Sequence, residues 1–204
     1  SEEIFEQAAV YAALLKNRGE RLSNVVLMGM GEPFHNYKNV VPAIRRICQD
    51  LGIGARHITV STVGIAPKIR QFADEGLQVT LAISLHAASD EVRGAMLPVN
   101  RKFPIATLID ACRYYIQKTN RRITFEWALI DGKNDDEQTA HRLGNLLKGL
   151  LCHVNLIPLN PTGGFEGGPT GQAAAAKFVD TLERYGVSAT LRVRRGIDID
   201  AGCG

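Results

Sequence analysis

Polar residues able to hold a small charged molecule recur at the ends of successive apolar segments of this 204-residue sequence. Glu32 follows the run 25–28 in NVVLMGMGEP. Ser61 and Thr62 close the segment 58–61, Ser84 and His86 close 78–84, and Asn160 follows 153–158. Each has a local explanation when taken alone: a serine can cap a helix, an asparagine can form an Asx turn, and a histidine can sit buried and hydrogen-bonded. Their recurrence at one end of consecutive segments points to a ligand. A carboxylate accepts hydrogen bonds from an ammonium group, while serine hydroxyls and an imidazole can hold a carboxylate or ribose hydroxyls. The set therefore suits a zwitterionic ligand that carries a ribose. Gly29 and Gly31 let the backbone turn and approach it closely. Neither a GxxxxGK[ST] loop nor a GxGxxG after a strand is present, which weakens nucleoside triphosphate and dinucleotide readings.

These residues need elements to position them, and the apolar periodicity supplies a set. Helical spacing covers 2–18, 39–50, 65–75, 89–96, 105–118, 135–150 and 172–185. Strands are expected at 25–28 (buried on both faces), 58–61, 78–84, 122–130, 153–158 and 188–194. Ser89 is placed as an N-cap. The run 162–171, rich in Gly, Thr and Pro, reads as a mobile loop. A helix, five strand–helix repeats and a final strand imply an α/β protein with a parallel sheet and right-handed crossovers. In such folds ligands sit at the carboxyl ends of the strands. Within 122–130, Ile123, Phe125, Trp127 and Leu129 share one side, and Thr124 and Glu126 the other. A barrel interior can hold Glu126 only if it is paired or faces the pocket.

Composition sets bounds. Hydrophobic residues make up 45% and charged residues 22%, with a net charge of +3, as in an ordinary globular domain. The pI of about 8.7 permits an RNA partner without requiring one. No apolar run approaches a membrane span, and no signal peptide is visible. Cys48, Cys112, Cys152 and Cys203 are widely spaced and form no CxxC pair, so no metal site is written in the sequence. Scattered thiols fit a reducing compartment, and the expected location is the cytoplasm. Arg192, Arg194 and Arg195 shortly precede Cys203 and favour its thiolate; Asp198 and Asp200 act the other way. Gly196, Gly202 and Gly204 leave that tail free to fold back over the strand ends.

The segments GMGEP (29–33), HITVSTVG (57–64), ISLHA (83–87), MLPVNRK (96–102), TFEWALIDGKND (124–135), HVNLIPLNP (153–161) and RRGIDIDAGCG (194–204) resemble, in order, the radical S-adenosylmethionine (SAM) RNA methyltransferases of the RlmN/Cfr family. The resemblance implies a partial (β/α)6 radical SAM barrel over 1–204, with SAM across the carboxyl ends of its strands. By position, Gly31 and Glu32 match residues that bind the methionine amino group. Ser61, Ser84, Leu85, His86 and Asn160 match its other SAM contacts, and Cys203 matches the cysteine that is methylated and carries the one-carbon unit. The family reaction consumes two SAM molecules. One methylates the cysteine; the other is cleaved reductively at a 4Fe-4S cluster, giving a radical that activates the S-methyl group for addition to an electrophilic adenine carbon. The implied product is 2-methyladenosine in 23S rRNA and tRNA. The implied partners are those RNAs and an electron donor, with no membrane, and the protein a monomer.

This sequence departs from the family in lacking CxxxCxxC, the motif whose thiolates hold the cluster, and it reads AGCG where the family commonly has AACG. The expectation is a carboxyl-terminal catalytic portion truncated before its first strand, without turnover by itself. A SAM-binding module without chemistry, or a radical SAM barrel enzyme with another acceptor, are the alternatives.

Overall fold

The computed structural model describes residues 1–159 and 168–192. Asn160, Cys203, Arg194, Arg195 and most of the 162–171 loop lie outside them. The order is α1 (Glu2–Asn17), β1 (Val25–Leu27), α2 (Tyr37–Asp50), β2 (Ile58–Thr62), α3 (Ala66–Asp74), β3 (Thr80–Ser84), α4 (Asp90–Met96), α5 (Ile105–Thr119), β4 (Ile123–Leu129), α6 (Glu137–Leu147), β5 (Cys152–Pro158), α7 (Gln172–Arg184) and β6 (Ser188–Leu191). Ser89 caps α4 as expected, its hydroxyl accepting from the Val92 amide. Between α4 and α5 lies a 3-10 turn, Pro98–Arg101.

All six strands are parallel, and their order in the sheet is their order in the chain, β1 to β6. Crossovers of one hand that always step the same way put every helix on one face of the sheet. A doubly wound sheet would reverse and cover both faces. The two faces here differ accordingly. Ile58, Val60, Leu81, Ile83, Ile123, Phe125, Trp127, Val154 and Leu156 point to the helix side and are fully buried. Thr59, Ser61, Thr80, Ser84, Thr124, His153 and Asn155 point to the other side and remain partly exposed. This is the inner surface of a partial barrel, apolar outside and carrying most of the sheet's polar side chains within.

The expectation that 25–28 is buried on both faces is corrected. β1 is the edge of the sheet and bonds only to β2. Val25 and Leu27 pack outward against the core, but Val26 is 59% and Met28 42% exposed. An unbroken apolar run is the pattern of a strand covered twice; on the open inner side nothing among the described residues covers Val26 or Met28.

Candidate functional site

The loop after β1 is held from both ends. Gly31 has φ +101°, a left-handed conformation open to glycine. Glu32 caps the 3-10 turn Pro33–Asn36, its Oε1 accepting from the Phe34 amide at 2.9 Å. Phe34 is buried against Phe72, with ring centroids 5.2 Å apart, and against Tyr37. Oε2 of Glu32 accepts from the Val63 amide at 2.8 Å, which ties this loop to the one after β2. A carboxylate offers about four lone-pair sites, so the two amides leave acceptor capacity on Glu32 for a ligand.

A cavity of about 450 Å³ opens beside this loop on the inner face, within the range of small-molecule sites. Gly31, Glu32, Ser61 and Ser84 all line it, joined by Glu126 and Arg192. Four of the residues expected from the sequence are thus brought together. A larger groove of about 600 Å³ runs between α1 and the free edge of β1 and shares the Glu32 loop. Its remaining lining is mainly apolar and includes none of the serines, so the smaller cavity is the better candidate.

Thr62, expected beside Ser61, also lines the cavity, but its hydroxyl is engaged in accepting from the Gly64 amide. Leu85 and His86 do not line the cavity. Leu85 is fully buried. His86 has φ +58°, and its Nδ1 accepts from the Ala128 amide at 3.0 Å, which places the ring proton on Nε2. Burial, and secondarily the positive charge of Arg93, lowers the imidazole to about 4. In these contacts the two residues fix the backbone beyond Ser84.

Two residues of this framework, Arg93 and Asn134, have no role assigned from the sequence. Arg93, on α4, is fully buried. Its guanidinium donates to the carbonyls of Val63 (2.6 Å), Ser84 (3.1 Å) and Leu85 (3.2 Å) and to Asn100 Oδ1 (2.9 Å). It therefore joins the exits of β2 and β3, and burial lowers it to about 10. Asn134 donates to the carbonyls of His86 and Ala128 and accepts from the Ile130 amide. The only hint of either is a polar residue inside an otherwise apolar or turn-forming context, which is common on any surface.

Glu126 stands in register with Ser84 on one side and Asn155 on the other. It is 5% exposed, and its Oε1 accepts from Asn155 Nδ2 at 3.1 Å. Both conditions set by the sequence hold: it is paired, and it faces the pocket. Burial pushes its carboxyl up, against the opposing effects of Asn155 and Arg192.

No group of three or more His, Cys, Asp or Glu among the described residues could hold a metal ion. Cys112 and Cys152 are buried, Cys48 partly so, and burial raises all three thiols. The described residues do not fit an iron–sulfur cluster, whose ligands are thiolates. They do fit the organic ligand, since acceptors and hydroxyls converge on a cavity of suitable size. Among the described residues no helix is long and apolar enough to cross a membrane.

A singly wound parallel half-barrel with its polar groups at the strand ends defines a partial β/α-barrel ligand-binding protein. The chain matches the Radical SAM superfamily over residues 3–143 and belongs to it. It is 52% identical to the dual-specificity RNA methyltransferase RlmN 1 of Myxococcus xanthus, over 99% of this chain and 57% of that protein. It is 51% identical to a probable dual-specificity RNA methyltransferase RlmN of Clostridium perfringens, over 99% and 58%. A crystal structure of a radical SAM methyltransferase from Sphaerobacter thermophilus superposes with a TM-score of 0.94 at 46% identity, covering 98% of this chain and 59% of that one. A domain of pyruvate-formate lyase-activating enzyme from Bacteroides vulgatus shares the fold, with a TM-score of 0.66 at 19% identity. The resemblance to the RlmN/Cfr family and the partial radical SAM barrel are both borne out. The chain spans less than three-fifths of the length of these methyltransferase relatives.

Proposed function

We propose that residues 1–204 form the SAM-holding part of a radical SAM RNA methyltransferase that makes 2-methyladenosine in 23S rRNA and tRNA. The observation that carries this reading is the convergence of Gly31, Glu32, Ser61 and Ser84 on one cavity at the carboxyl ends of β1, β2 and β3. Bound there, SAM supplies the methyl group and, with a 4Fe-4S cluster and an electron donor, the radical chemistry of its superfamily. The cluster's ligands are not among the described residues.

The chain's own residues have these roles. Glu32, already fixed by two amides, accepts from the ligand's ammonium group. Gly31 lets the backbone close on it, and Ser61 and Ser84 donate to its carboxylate and hydroxyls. Leu85 and His86 are assigned SAM contacts on their motif positions, and their packing also holds Ser84 in place. Asn160 is assigned a SAM contact and Cys203 the methyl-accepting role on their motif positions alone. The Cys203 sulfur, as thiolate, bonds to the methyl carbon as S-adenosylhomocysteine leaves; the thiol proton goes to solvent. The reading includes a cytoplasmic monomer.

Incubating the intact enzyme, with its cluster and reductant, with SAM labelled in its methyl group tests this by peptide mass spectrometry. One labelled methyl on Cys203 is expected before any RNA product, and Cys203→Ala should abolish RNA methylation while leaving the fold intact. Label on Cys48, Cys112 or Cys152 and none on Cys203, or normal RNA methylation by the alanine variant, overturns it.

A further inference from the structure

We infer that Glu126 is a ligand-contacting residue of this cavity, where its free carboxyl oxygen accepts from the vicinal ribose hydroxyls of an adenosyl ligand and Asn155 acts as its positioning residue. The inference rests on the SAM-cavity reading and extends it to a strand whose motif match carried no assigned ligand contact.

Glu126 is almost wholly buried, yet it lines the cavity. One carboxyl oxygen is held by Asn155; the other has no hydrogen-bond partner among the described residues. That oxygen opens onto the cavity, so it can accept from a ligand there without a protein partner having to be displaced. The neighbours restrict what that ligand is. Arg192 lines the same cavity, and its positive charge acts on Glu126. A second cation at this place would be repelled by the guanidinium, whereas a neutral donor would not. The other acid of the cavity, Glu32, belongs to the loop after β1, at the opposite edge of the sheet from β6 and Arg192. An elongated ligand with an ammonium at one end and neutral hydroxyls further along therefore meets both acids in turn. A vicinal diol offers two donors to one oxygen that has two lone pairs.

Isothermal calorimetry on the chain with 5′-methylthioadenosine, which keeps the ribose and lacks the amino acid, and with S-adenosylhomocysteine, which has both, separates the two acids. Glu126→Gln should weaken 5′-methylthioadenosine about 10- to 100-fold, the loss of a charge-assisted hydrogen bond. Glu32→Gln should weaken S-adenosylhomocysteine by a larger factor than 5′-methylthioadenosine, and Glu126→Gln should weaken both ligands alike. Glu126→Asp, which keeps the charge and withdraws the oxygen, should resemble Glu126→Gln, and thermal unfolding checks that each variant is folded. Unchanged 5′-methylthioadenosine affinity in both folded Glu126 variants, with binding by wild type, overturns the inference and leaves the SAM reading intact. Failure of wild type to bind either ligand overturns both.

Discussion

His86 shows how one residue type can serve chemistry or architecture. Its resemblance-based role is a SAM contact, but its Nδ1 is committed to the Ala128 amide, and Asn134 holds its carbonyl. That arrangement requires a neutral ring, so protonation and the native structure compete. The native imidazole sits at about 4, below the ordinary value near 6.5. A group lowered in this way contributes stability that is complete above its unfolded value and is lost as pH falls through the native one. Between about pH 6.5 and 4 the chain should lose about 3 kcal/mol through this residue alone. Urea unfolding across that range should show a shallower acid loss for His86→Asn than for wild type; asparagine tolerates the left-handed backbone. Parallel pH dependences would remove this role from His86. The histidine was visible in the sequence, but its partner amide, Ala128, is 42 residues away in the chain, and no local pattern announces a contact of that separation.

At the scale of elements, the strand exits hold their shape because α4 brings Arg93 under them. Three of its acceptors are carbonyls at the ends of β2 and β3, which lysine's single ammonium cannot reach with the same fork. The turn leaves little room: Gly64 has φ +100°, and a Cβ there would lie 3.0 Å from Leu108 and 3.2 Å from Arg93 Nη2. Arg93→Met should cost at least about 3 kcal/mol, because several buried acceptors lose their donor together. Arg93→Lys should recover less than half of that loss. Amide exchange should accelerate around 62–65 and 84–87 in both variants before it changes in β5. A stability within about 0.5 kcal/mol of wild type, the usual size of a surface change, would show the arginine to be dispensable. The helices themselves were legible, since Val40, Val41, Ile44 and Ile47 on α2 repeat at helical spacing and are buried. The role of α4 was not, because a buried arginine among backbone carbonyls has the same one-dimensional appearance as an exposed one.

For the whole molecule, the alternation of strands and helices was readable, and the polar ends of β2 and β3 predicted much of the cavity lining. The sheet order was not readable from periodicity, since singly and doubly wound sheets share the same alternation; the family resemblance supplied the barrel. The consequence of single winding is that neighbouring residues on one strand live in different solvents. On β4, Phe125 faces the helices and is fully buried, while Thr124 faces the polar inner side and is partly exposed. Phe125→Ala should destabilise by about 3–5 kcal/mol through lost burial and the cavity left behind. Thr124→Ala should change stability by about 0.5 kcal/mol or less, as at an exposed position. A sheet covered on both faces would make the second substitution costly as well, because its hydroxyl would sit in a sealed layer with a partner to lose. Chemical unfolding of the two variants side by side distinguishes these architectures. A loss above about 2 kcal/mol at Thr124 would mean that the inner face is closed in solution, and the cavity beside Glu32 would then be closed to a ligand from that side.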